Sequence, residues 1–455
     1  MALVTDQGAV TFTDLATLAA RAASALARLP AGPVAFVARS DVPTVALVLA
    51  LFATGRTMVP LHPRWTQAEQ TAALATLVDS MIVVDPVELS TQARTDASAA
   101  LEPRSHDDEA IAAVLFTSGS SGRPKAVLLP RRAFLASAAA HANNLPFVPD
   151  DRWLLAMPLA HAGGLSILTR SILARTAVVL IAGFDPDEVL ATTFRERVTL
   201  LSVVPAMLHR LLERDRANVL ARTRAVLVGG AAFPMALRAG AYTAKVPVLA
   251  TYGLTETCSQ VVTERPGDRR ATDPRAVGRP LDGVEIEIRS QDGRPAPRGT
   301  AGRIWVRGAM VMRGYAGAPP LAVGEALDTG DEGRFDAEGV LSVIGRADET
   351  IITGGENVHP NEVEATLLAA PGVREAAVFG VPDPIWGQVV AAALVVENDE
   401  AAGLACIEAS RSLASFKRPR LVAVLPELPR LPNGKLDRRA LSALAPERFT
   451  AAPRG

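Results

Sequence analysis

Cysteine and aromatic residues are scarce in this chain of 455 residues, which has only Cys258 and Cys406 and is 4% aromatic. Two cysteines far apart do not form the pattern of a disulfide framework or of a CxxC zinc site. So few aromatic rings provide little surface on which nucleic-acid bases can stack. We therefore expect neither a disulfide-stabilised fold nor a nucleic-acid-binding protein.

An excess of charge of one sign is also missing, because 47 Lys and Arg residues are balanced by 48 Asp and Glu residues. This balance does not favour binding to nucleic acids or to an anionic membrane surface. Apolar residues make up 49% of the chain and charged residues 21%, as in globular proteins rather than disordered ones. The length is sufficient for two or three domains.

No apolar run is as long as the roughly 20 residues that a membrane-spanning helix needs. The longest, VPTVALVLALFA at 42–53, is typical of a buried helix in an α/β core. The N-terminal sequence MALVTDQ lacks the basic and apolar segments of a signal peptide. We therefore predict a cytoplasmic protein without a membrane span.

Short strand-like runs alternate with Ala- and Leu-rich helical segments from residue 1 to about residue 345. This alternation predicts parallel sheets covered by helices on both faces. After about Pro280, strand-like runs separated by Gly and Asp turns indicate a small β-rich subdomain. The predicted strands are 34–38, 81–84, 112–116, 177–181, 200–204, 225–228, 246–249, 284–289, 302–306 and 340–344.

A further mixed unit follows, with predicted helices at 362–369 and 404–414 and predicted strands at 375–379 and 391–396. We therefore predict an α/β fold with two domains. The N-terminal domain, residues 1–347, would be large and built of helix-covered sheets with the β-rich subdomain. The C-terminal domain, residues 348–455, would be a small mobile α+β unit.

A loop rich in glycine and hydroxyl groups follows the predicted strand 112–116. Its glycines allow backbone N–H groups to close around phosphate oxygens. It is not a Walker A loop, because no Gly-Lys-Ser/Thr sequence closes it. We interpret it as a phosphate-binding loop, although a surface loop of small polar residues has the same composition. The candidate phosphate-binding residues are Thr117, Ser118, Gly119, Ser120, Ser121, Gly122 and Lys125.

FTSGSSGRPKAV, residues 116–127, resembles the signature loop of the adenylate-forming superfamily, which includes acyl- and aryl-CoA ligases, amino-acid-activating domains of nonribosomal synthetases and beetle luciferases. Ser121 stands where the usual pattern has Thr, and Ala126 stands where it often has Gly. Other motifs resemble those of the superfamily in order and spacing. They are VGGAA (228–232), TYGLTET (251–257), DTGD (328–331), GRAD (345–348), GGENV (354–358) with Pro360, and PRLPNGK (429–435).

The resemblance implies an ATP-dependent acid–thiol ligase with two steps. A carboxylate attacks the α-phosphate of ATP, giving an acyl-adenylate and pyrophosphate, and the thiol of CoA then displaces AMP. Because two anions meet in the first step, the site needs Mg²⁺, other cations and hydrogen-bond donors. The superfamily rotates its C-terminal domain between the two steps, which implies a hinge at Asp348.

The resemblance also implies roles for individual residues. Glu256 would bind Mg²⁺, unless it is only a solvated carboxylate. Thr255 would bind phosphate. Asp331 would accept hydrogen bonds from the ribose, unless it only caps a turn. Arg346 would reach the ribose or a phosphate, unless it only forms a salt bridge at the domain boundary. The other implied nucleotide-binding residues are Gly230, Ala231, Tyr252 and Gly253.

Lys435 is the residue that the resemblance implies to be catalytic, bridging the substrate carboxylate and the α-phosphate. Without the motif it would be one solvated lysine in the basic run 435–439. The loop after the hinge would line the thiol channel, where paired glycines permit close approach of a pantetheine chain. The implied channel residues are Gly354, Gly355, Glu356 and Asn357.

The segment MPLAHAGGLSIL, residues 157–168, contains the position of the superfamily's gate residue at the acyl pocket, which is His161 here. Amino-acid-activating domains usually carry an Asp nearby for the substrate ammonium, and the AGG of 162–164 offers none. HAGGLSIL, LLSVVPAMLHRLL, LVGGAAFP and TYGLTETCSQVVT are most similar to the superfamily members that act on 2-succinylbenzoate in menaquinone biosynthesis. The candidate acid-binding residues are His161, Ser166, Ser202, His209, Arg210, Gly253 and Gln260.

Other activities remain open at this point. The acid could instead be benzoate-like, anthranilate or a short- or medium-chain acid, since pocket sequences drift. An adenylating enzyme that loads a carrier protein would share the motifs but needs no free CoA. A non-catalytic nucleotide-binding protein is disfavoured by the presence of Glu256 and Lys435. The oligomeric state is open, with a homodimer among the options.

Overall fold

The computed structural model describes residues 1–77, 81–92, 107–118, 124–268, 273, 275–290, 292–397, 409–430, 436–444 and 446–451. Helices and strands alternate through most of these ranges. The predicted α/β fold class is thereby confirmed, with a large N-terminal part and a smaller C-terminal part.

The first 263 residues contain the following elements. The strands are β1 (Leu3–Thr5), β2 (Gly8–Val10), β3 (Val34–Val37), β4 (Met58–Leu61), β5 (Ile82–Val83), β6 (Ile111–Ser118), β7 (Pro124–Pro130), β8 (Arg152–Leu155), β9 (Ala177–Leu180), β10 (Leu200–Val203), β11 (Ala225–Val228), β12 (Val248–Leu254) and β13 (Ser259–Thr263). The helices are α1 (Phe12–Ala27), α2 (Val42–Thr54), α3 (Gln67–Leu74), α4 (Pro86–Gln92), α5 (Arg131–Asn144), α6 (Ala162–Ala174), α7 (Pro186–Arg195), α8 (Pro205–Arg214) and α9 (Met235–Thr243).

Helix α2 is the long apolar run of the sequence. The carboxylate of Asp41 caps it by accepting a hydrogen bond from the backbone N–H of Thr44 at 2.9 Å. The helix ends at Gly55, whose φ of 70° is left-handed and suits glycine. Most of its side chains are buried, as predicted. In the described ranges, no helix has both the length and the apolar character needed to cross a membrane.

Strands that follow extend the largest sheet. They are β14 (Ala276–Pro280), β15 (Val284–Arg289), β16 (Gly302–Gly308), β17 (Gly314–Tyr315), β18 (Leu327–Phe335) and β19 (Leu341–Arg346). The sheet has the order β15-β16-β18-β19-β14-β13-β12-β11-β10-β8-β9-β1-β2. Its strands from β9 to β12 are parallel, and from β12 to β15 the pairing is antiparallel.

The β-rich segment is continuous with a helix-covered sheet, a connection that the sequence analysis did not specify. The connection is β14, which pairs with β13 on one side and with β19 on the other. A second sheet has the order β17-β7-β6-β4-β3-β5. Its strand β17 comes from the β-rich segment, so this segment contributes to both sheets.

Burial explains why the strand ends are held in fixed positions. Strands β4, β9 and β11 are buried at every residue, as expected for parallel strands covered on both faces. Each buried Val or Leu side chain contributes about 1.5–3 kcal/mol relative to an exposed one. The loops at the carboxyl ends of β10, β11 and β12 therefore begin at strands that packing holds in fixed positions.

The C-terminal part forms its own sheet. Its elements are β20 (Ile351–Thr353), β21 (Glu356–Val358), α10 (Pro360–Leu368), β22 (Val373–Asp383), β23 (Gly387–Val396), β24 (Leu421–Val424), α11 (Arg438–Ser442) and β25 (Thr450–Ala451). The strand order is β21-β20-β23-β24-β25, with β22 paired to β23. The predicted helix 404–414 begins outside the described residues. The boundary between 347 and 348 stays a prediction, and a 3₁₀ turn at Ala347–Glu349 occupies it.

Candidate active site

The candidate site lies at the carboxyl ends of three neighbouring parallel strands, β10, β11 and β12. Ser202 is near the end of β10, Gly230 follows β11, and Tyr252 and Gly253 are near the end of β12. The φ of Gly230 is 78°, a left-handed turn that favours glycine. Ligands of open α/β sheets bind at this edge, which therefore groups predicted residues that are far apart in the sequence.

Asp331 is held in place from both sides. The Tyr252 hydroxyl donates to its Oδ2 at 2.6 Å, and the Arg346 guanidinium lies 3.5 Å from its Oδ1. Burial and the neighbouring Asp331 charge raise the pKa of Tyr252 well above its ordinary value, so the tyrosine remains a donor. Gly330, with φ 78°, leaves room for Arg346, because a Cβ there would lie 2.8 Å from Nη2. The structure thus brings three predicted nucleotide-binding residues together.

Glu256 is positioned by a tight reversal of the chain. It lies in the 3₁₀ turn Thr255–Thr257, directly after β12. Cys258 and Ser259 then adopt φ values of 51° and 86°, and the chain returns as β13. A reversal this tight fixes the backbone from which the Glu256 carboxylate projects.

Tyr315 is a site residue that the sequence analysis missed. Its hydroxyl donates to Oε1 of Glu256 at 2.8 Å, and the Lys125 Nζ lies 5.2 Å from the centre of its ring. Burial and the Glu256 charge raise the pKa of Tyr315, so it too remains protonated. The sequence has only 3 tyrosines, and this scarcity is the feature that could have drawn attention to Tyr315. Lys125 and Glu256 are brought together through this ring.

The predicted phosphate loop joins two antiparallel strands, β6 and β7. Thr117 pairs with Lys125 and Ser118 with Pro124. Strand β7 therefore follows the loop and pairs with β6, whereas the sequence analysis predicted only the strand that precedes the loop. Gly119, Ser120, Ser121 and Gly122 lie outside the described residues.

His161 precedes α6 as its N-cap residue. Its ring centre lies 5.2 Å from that of His62, a second histidine that the sequence analysis missed. His62 is 1% exposed, and burial lowers its pKa. Gly164 allows the first turn of α6 to pack closely, because a Cβ there would lie 2.2 Å from the Pro158 carbonyl oxygen.

The predicted acid-binding residues divide into two groups. The Ser166 hydroxyl lies 3.3 Å from that of Ser259, which adjoins the buried Gln260. Arg210 is exposed on α8, and its guanidinium lies 5.2 Å from the centre of the Phe184 ring. His209 is likewise exposed and pairs with a glutamate of the same helix. Ser166 and Gln260 are therefore linked through Ser259. Arg210 and His209 form the other group, which is exposed on α8.

The segment after β19 contains the predicted hinge. The carboxylate of Asp348 accepts hydrogen bonds from Arg346 at 2.9 and 3.2 Å. Burial raises the pKa of Asp348, but the hydrogen bond and charge of Arg346 outweigh it and lower the pKa. Gly354 and Gly355 form the left-handed turn between β20 and β21, with φ 59° and 86°, and Glu356 and Asn357 begin β21. Lys435 lies outside the described residues.

Gly253 is predicted to tolerate no side chain. A Cβ there would lie 1.9 Å from the Ser259 carbonyl oxygen, a backbone atom that cannot rotate away. We expect Gly253→Ala to lower the free energy of unfolding by about 1–3 kcal/mol, measured by urea denaturation. The control is Gly240→Ala in α9, where no atom lies within 4 Å and a gain of about 0.5–1 kcal/mol is expected. Equal stability of Gly253→Ala and the unmodified protein would contradict the contact.

Comparisons with known families agree with this arrangement. Residues 1–316 match the AMP-binding enzyme family, and residues 362–435 match the AMP-binding enzyme C-terminal domain. The chain is 36% identical over 421 residues to the 2-succinylbenzoate–CoA ligase of Bacillus pumilus, covering 88% of this chain and 85% of that protein. It is 34% identical over 464 residues to the enzyme of that name from Bacillus subtilis, covering 97% and 94%.

Solved structures are similar over almost the whole chain. The o-succinylbenzoate CoA synthetase (MenE) from Bacillus subtilis, in complex with the acyl-adenylate intermediate OSB-AMP, has a TM-score of 0.87 at 33% identity, covering 98% of this chain and 95% of that one. The same enzyme in complex with ATP and magnesium ion has a TM-score of 0.86 at 33% identity, covering 97% and 96%. ATP-bound MatB from Rhodopseudomonas palustris has a TM-score of 0.86 at 28% identity, covering 97% and 95%.

Proposed function

The chain belongs to the AMP-binding enzyme family, and on that premise we propose that it is an ATP-dependent ligase that joins 2-succinylbenzoate to CoA. The observation that carries the proposal is the pair of tyrosine–carboxylate contacts, Tyr252–Asp331 and Tyr315–Glu256, which both lie at the carboxyl end of β12. The similarity to 2-succinylbenzoate–CoA ligases over 88% and 97% of the chain supports the choice of acid.

In the first step, an oxygen of the acid's carboxylate attacks the α-phosphorus of ATP. The new O–P bond makes the acyl-adenylate, and the bond to the departing pyrophosphate breaks. Asp331, held by Tyr252 and Arg346, accepts hydrogen bonds from the ribose hydroxyls. The turn at Gly230 and Ala231 lies against the adenine, and the hydroxyls of Thr117 and Thr255 donate to the phosphates.

Glu256 fits a Mg²⁺ ion, since its Oε1 accepts from Tyr315 and its Oε2, which has no hydrogen-bond partner among the described residues, suits a hard cation. No group of three or more His, Cys, Asp or Glu residues that could hold a metal occurs in the described ranges. Phosphate oxygens and water, the usual ligands of Mg²⁺ beside one or two carboxylates, would complete the shell of an ion held by Glu256. The ion neutralises phosphate charge when it is bound, and Lys125 and Lys435 add positive charge from the chain itself.

In the second step, the CoA thiol gives its proton to solvent and its sulfur attacks the acyl carbon, and the bond from that carbon to the phosphate oxygen of AMP breaks. The proposed hinge at Asp348 lets residues 348–455 rotate between the steps, withdrawing Lys435 and presenting the loop 353–357. His161 separates the acyl pocket from the thiol channel. A homodimer and a cytoplasmic location remain predictions.

The proposal is tested by pyrophosphate release from ATP and Mg²⁺ with a panel of acids, with and without CoA. The panel contains 2-succinylbenzoate, benzoate, anthranilate, malonate and medium-chain fatty acids. We expect release with 2-succinylbenzoate and CoA-dependent formation of AMP and thioester. Pyrophosphate release with another acid of the panel, and not with 2-succinylbenzoate, would overturn the choice of substrate. Transfer to a phosphopantetheinyl carrier protein but not to CoA would indicate a carrier-loading enzyme.

A further inference from the structure

His62 is a buried histidine in contact with the proposed gate residue. It follows β4 directly and is 1% exposed. Its ring centre lies 5.2 Å from that of His161, with an angle of 46° between the two ring planes. Strand β4 belongs to the sheet that contains β6, whereas His161 lies between β8 of the largest sheet and α6. The contact between the two rings therefore joins segments that come from the two different sheets.

The turn that carries His62 is held by a hydrogen bond and by ring packing. The backbone N–H of Trp65 donates to the His62 carbonyl oxygen at 3.0 Å. The ring centre of Trp65 lies 6.2 Å from that of His62 and 5.8 Å from that of Phe116, which is a buried residue of β6. His62 is therefore a fixed neighbour for His161, whose side chain is only partly buried.

The hydrogen bonds of His62 determine which of its ring nitrogens carries the proton. Burial lowers the pKa of His62, so the ring is neutral at neutral pH and has one N–H group. Nδ1 accepts a hydrogen bond from the backbone N–H of Arg64 at 3.1 Å, which places the proton on Nε2. This Nε2–H is buried and has no hydrogen-bond partner among the described residues. Because a buried donor without an acceptor is unfavourable, we expect an acceptor to reach it in one state of the enzyme.

His161 is the neighbour that can supply this acceptor. Among the described residues, the rings in contact with His62 are those of Trp65 and His161. An indole N–H can only donate, whereas a neutral imidazole has one acceptor nitrogen. A hydrogen bond of about 3 Å between two ring nitrogens separates the ring centres by about 5 Å, which is the spacing that these two rings already have. The bond therefore needs a turn of the His161 ring but no change in the distance between the rings.

We propose that His62 is a positioning residue for His161, to which its Nε2–H donates a hydrogen bond that holds the gate ring in one orientation while CoA reacts. The inference rests on the proposed function, because it concerns the gate of the same site. His161 has its proposed role between the acyl pocket and the thiol channel, so a residue that acts through it should affect the second step. The first step, in which no thiol passes the gate, should proceed at nearly the unmodified rate.

The test uses two substitutions that keep opposite parts of the imidazole. In His62→Asn, the amide oxygen takes the place of Nδ1 and can still accept from the Arg64 N–H, but the donor at the place of Nε2 is lost. In His62→Gln, the longer side chain places an amide N–H where Nε2 stood. We expect His62→Asn to slow thioester formation from preformed acyl-adenylate and saturating CoA by about three- to tenfold, as for one hydrogen bond between uncharged groups. His62→Gln should recover most of this loss.

A double-mutant cycle with His161→Ala tests whether His62 acts through the gate. In that background no gate ring remains to be held, so His62→Asn should change the rate of thioester formation by less than about twofold. Single-turnover release of pyrophosphate from ATP and 2-succinylbenzoate is the control. It should be nearly equal in His62→Asn, His62→Gln and the unmodified enzyme.

A purely structural role for His62 predicts the reverse order of the two substitutions. His62→Gln gives up the bond to the Arg64 N–H and would then be the slower variant and the one with the lower melting temperature. If His62→Gln is as slow as His62→Asn, or if His62→Asn slows both steps by the same factor, the inference is wrong. It is also wrong if His62→Asn keeps its full effect in the His161→Ala background.

Failure of the inference and failure of the proposed function are distinguishable. An unmodified enzyme that forms the thioester of 2-succinylbenzoate, with both His62 variants equally fast, overturns the inference and leaves the proposed function intact. An unmodified enzyme that forms no thioester from CoA and the acyl-adenylate of 2-succinylbenzoate overturns both.

Discussion

Replacing Lys435 with alanine is expected to slow acyl-adenylate formation by about a hundred- to a thousandfold, the usual effect of removing one group that stabilises developing charge. The resemblance to the adenylate-forming superfamily implies that this lysine bridges the attacking carboxylate and the α-phosphate. Rotation of the C-terminal domain, which the same resemblance implies, would bring this ammonium to the site for one step and withdraw it for the other. The measurement is single-turnover release of pyrophosphate from ATP and 2-succinylbenzoate.

The second step provides the internal control for Lys435. When the preformed acyl-adenylate and CoA are supplied, Lys435→Ala should form thioester at nearly the unmodified rate. Arg439→Ala removes an exposed charge from the same basic run and should leave both steps nearly unchanged. Equal slowing of both steps by Lys435→Ala would contradict a role limited to adenylation.

Replacing Glu256 with glutamine is expected to lower activity by about a hundredfold or more, since a metal ion contributes several kcal/mol to charge stabilisation. The amide keeps the shape of the side chain and loses the negative charge that a hard cation requires. Raising the Mg²⁺ concentration should restore part of the activity. The measurement is the dependence of pyrophosphate release on Mg²⁺.

Tyr315→Phe is the matched variant for this prediction. It removes the hydrogen bond to Glu256 at 2.8 Å but keeps the carboxylate and the ring near Lys125. We expect a smaller loss of activity and a Mg²⁺ dependence close to that of the unmodified enzyme. A Glu256→Gln enzyme whose Mg²⁺ dependence is unchanged would exclude Glu256 as the ligand.

Local patterns in the sequence predicted individual strands well but not how the strands pair. The apolar run 225–228 was predicted as a strand and is β11 with the same bounds. The β-rich segment was predicted as a subdomain, but the sequence did not show that β14 joins it to the larger sheet. Strand pairing depends on contacts between distant segments, which apolar periodicity does not encode.

In the candidate site, too, the local sequence identified single residues but not the contacts between distant segments. Motifs identified Tyr252, Glu256 and Asp331 one by one. Their contacts could not be predicted, since Tyr252 and Asp331 are 79 residues apart and Tyr315 is 59 residues from Glu256. Such pairs form only once β17 and β18 have taken their places in the two sheets.

Arg170 escaped the sequence analysis for a different reason. A single arginine near the end of an apolar helix usually has its charged end in solvent. Its complete burial depends on Ser137 and Gln260, which come from α5 and β13. Only the three-dimensional packing of these elements shows that no carboxylate of the described ranges forms a salt bridge with Arg170.

The most direct test of the account is a competition among acids with identification of the product. Purified protein is incubated with ATP, Mg²⁺ and CoA and an equimolar mixture of 2-succinylbenzoate, benzoate, anthranilate, malonate and a medium-chain fatty acid, and the thioesters are identified by mass spectrometry. We predict that the thioester of 2-succinylbenzoate is the main product, formed with one AMP for each thioester. A main product from any other acid, or thioester without AMP, would contradict the account.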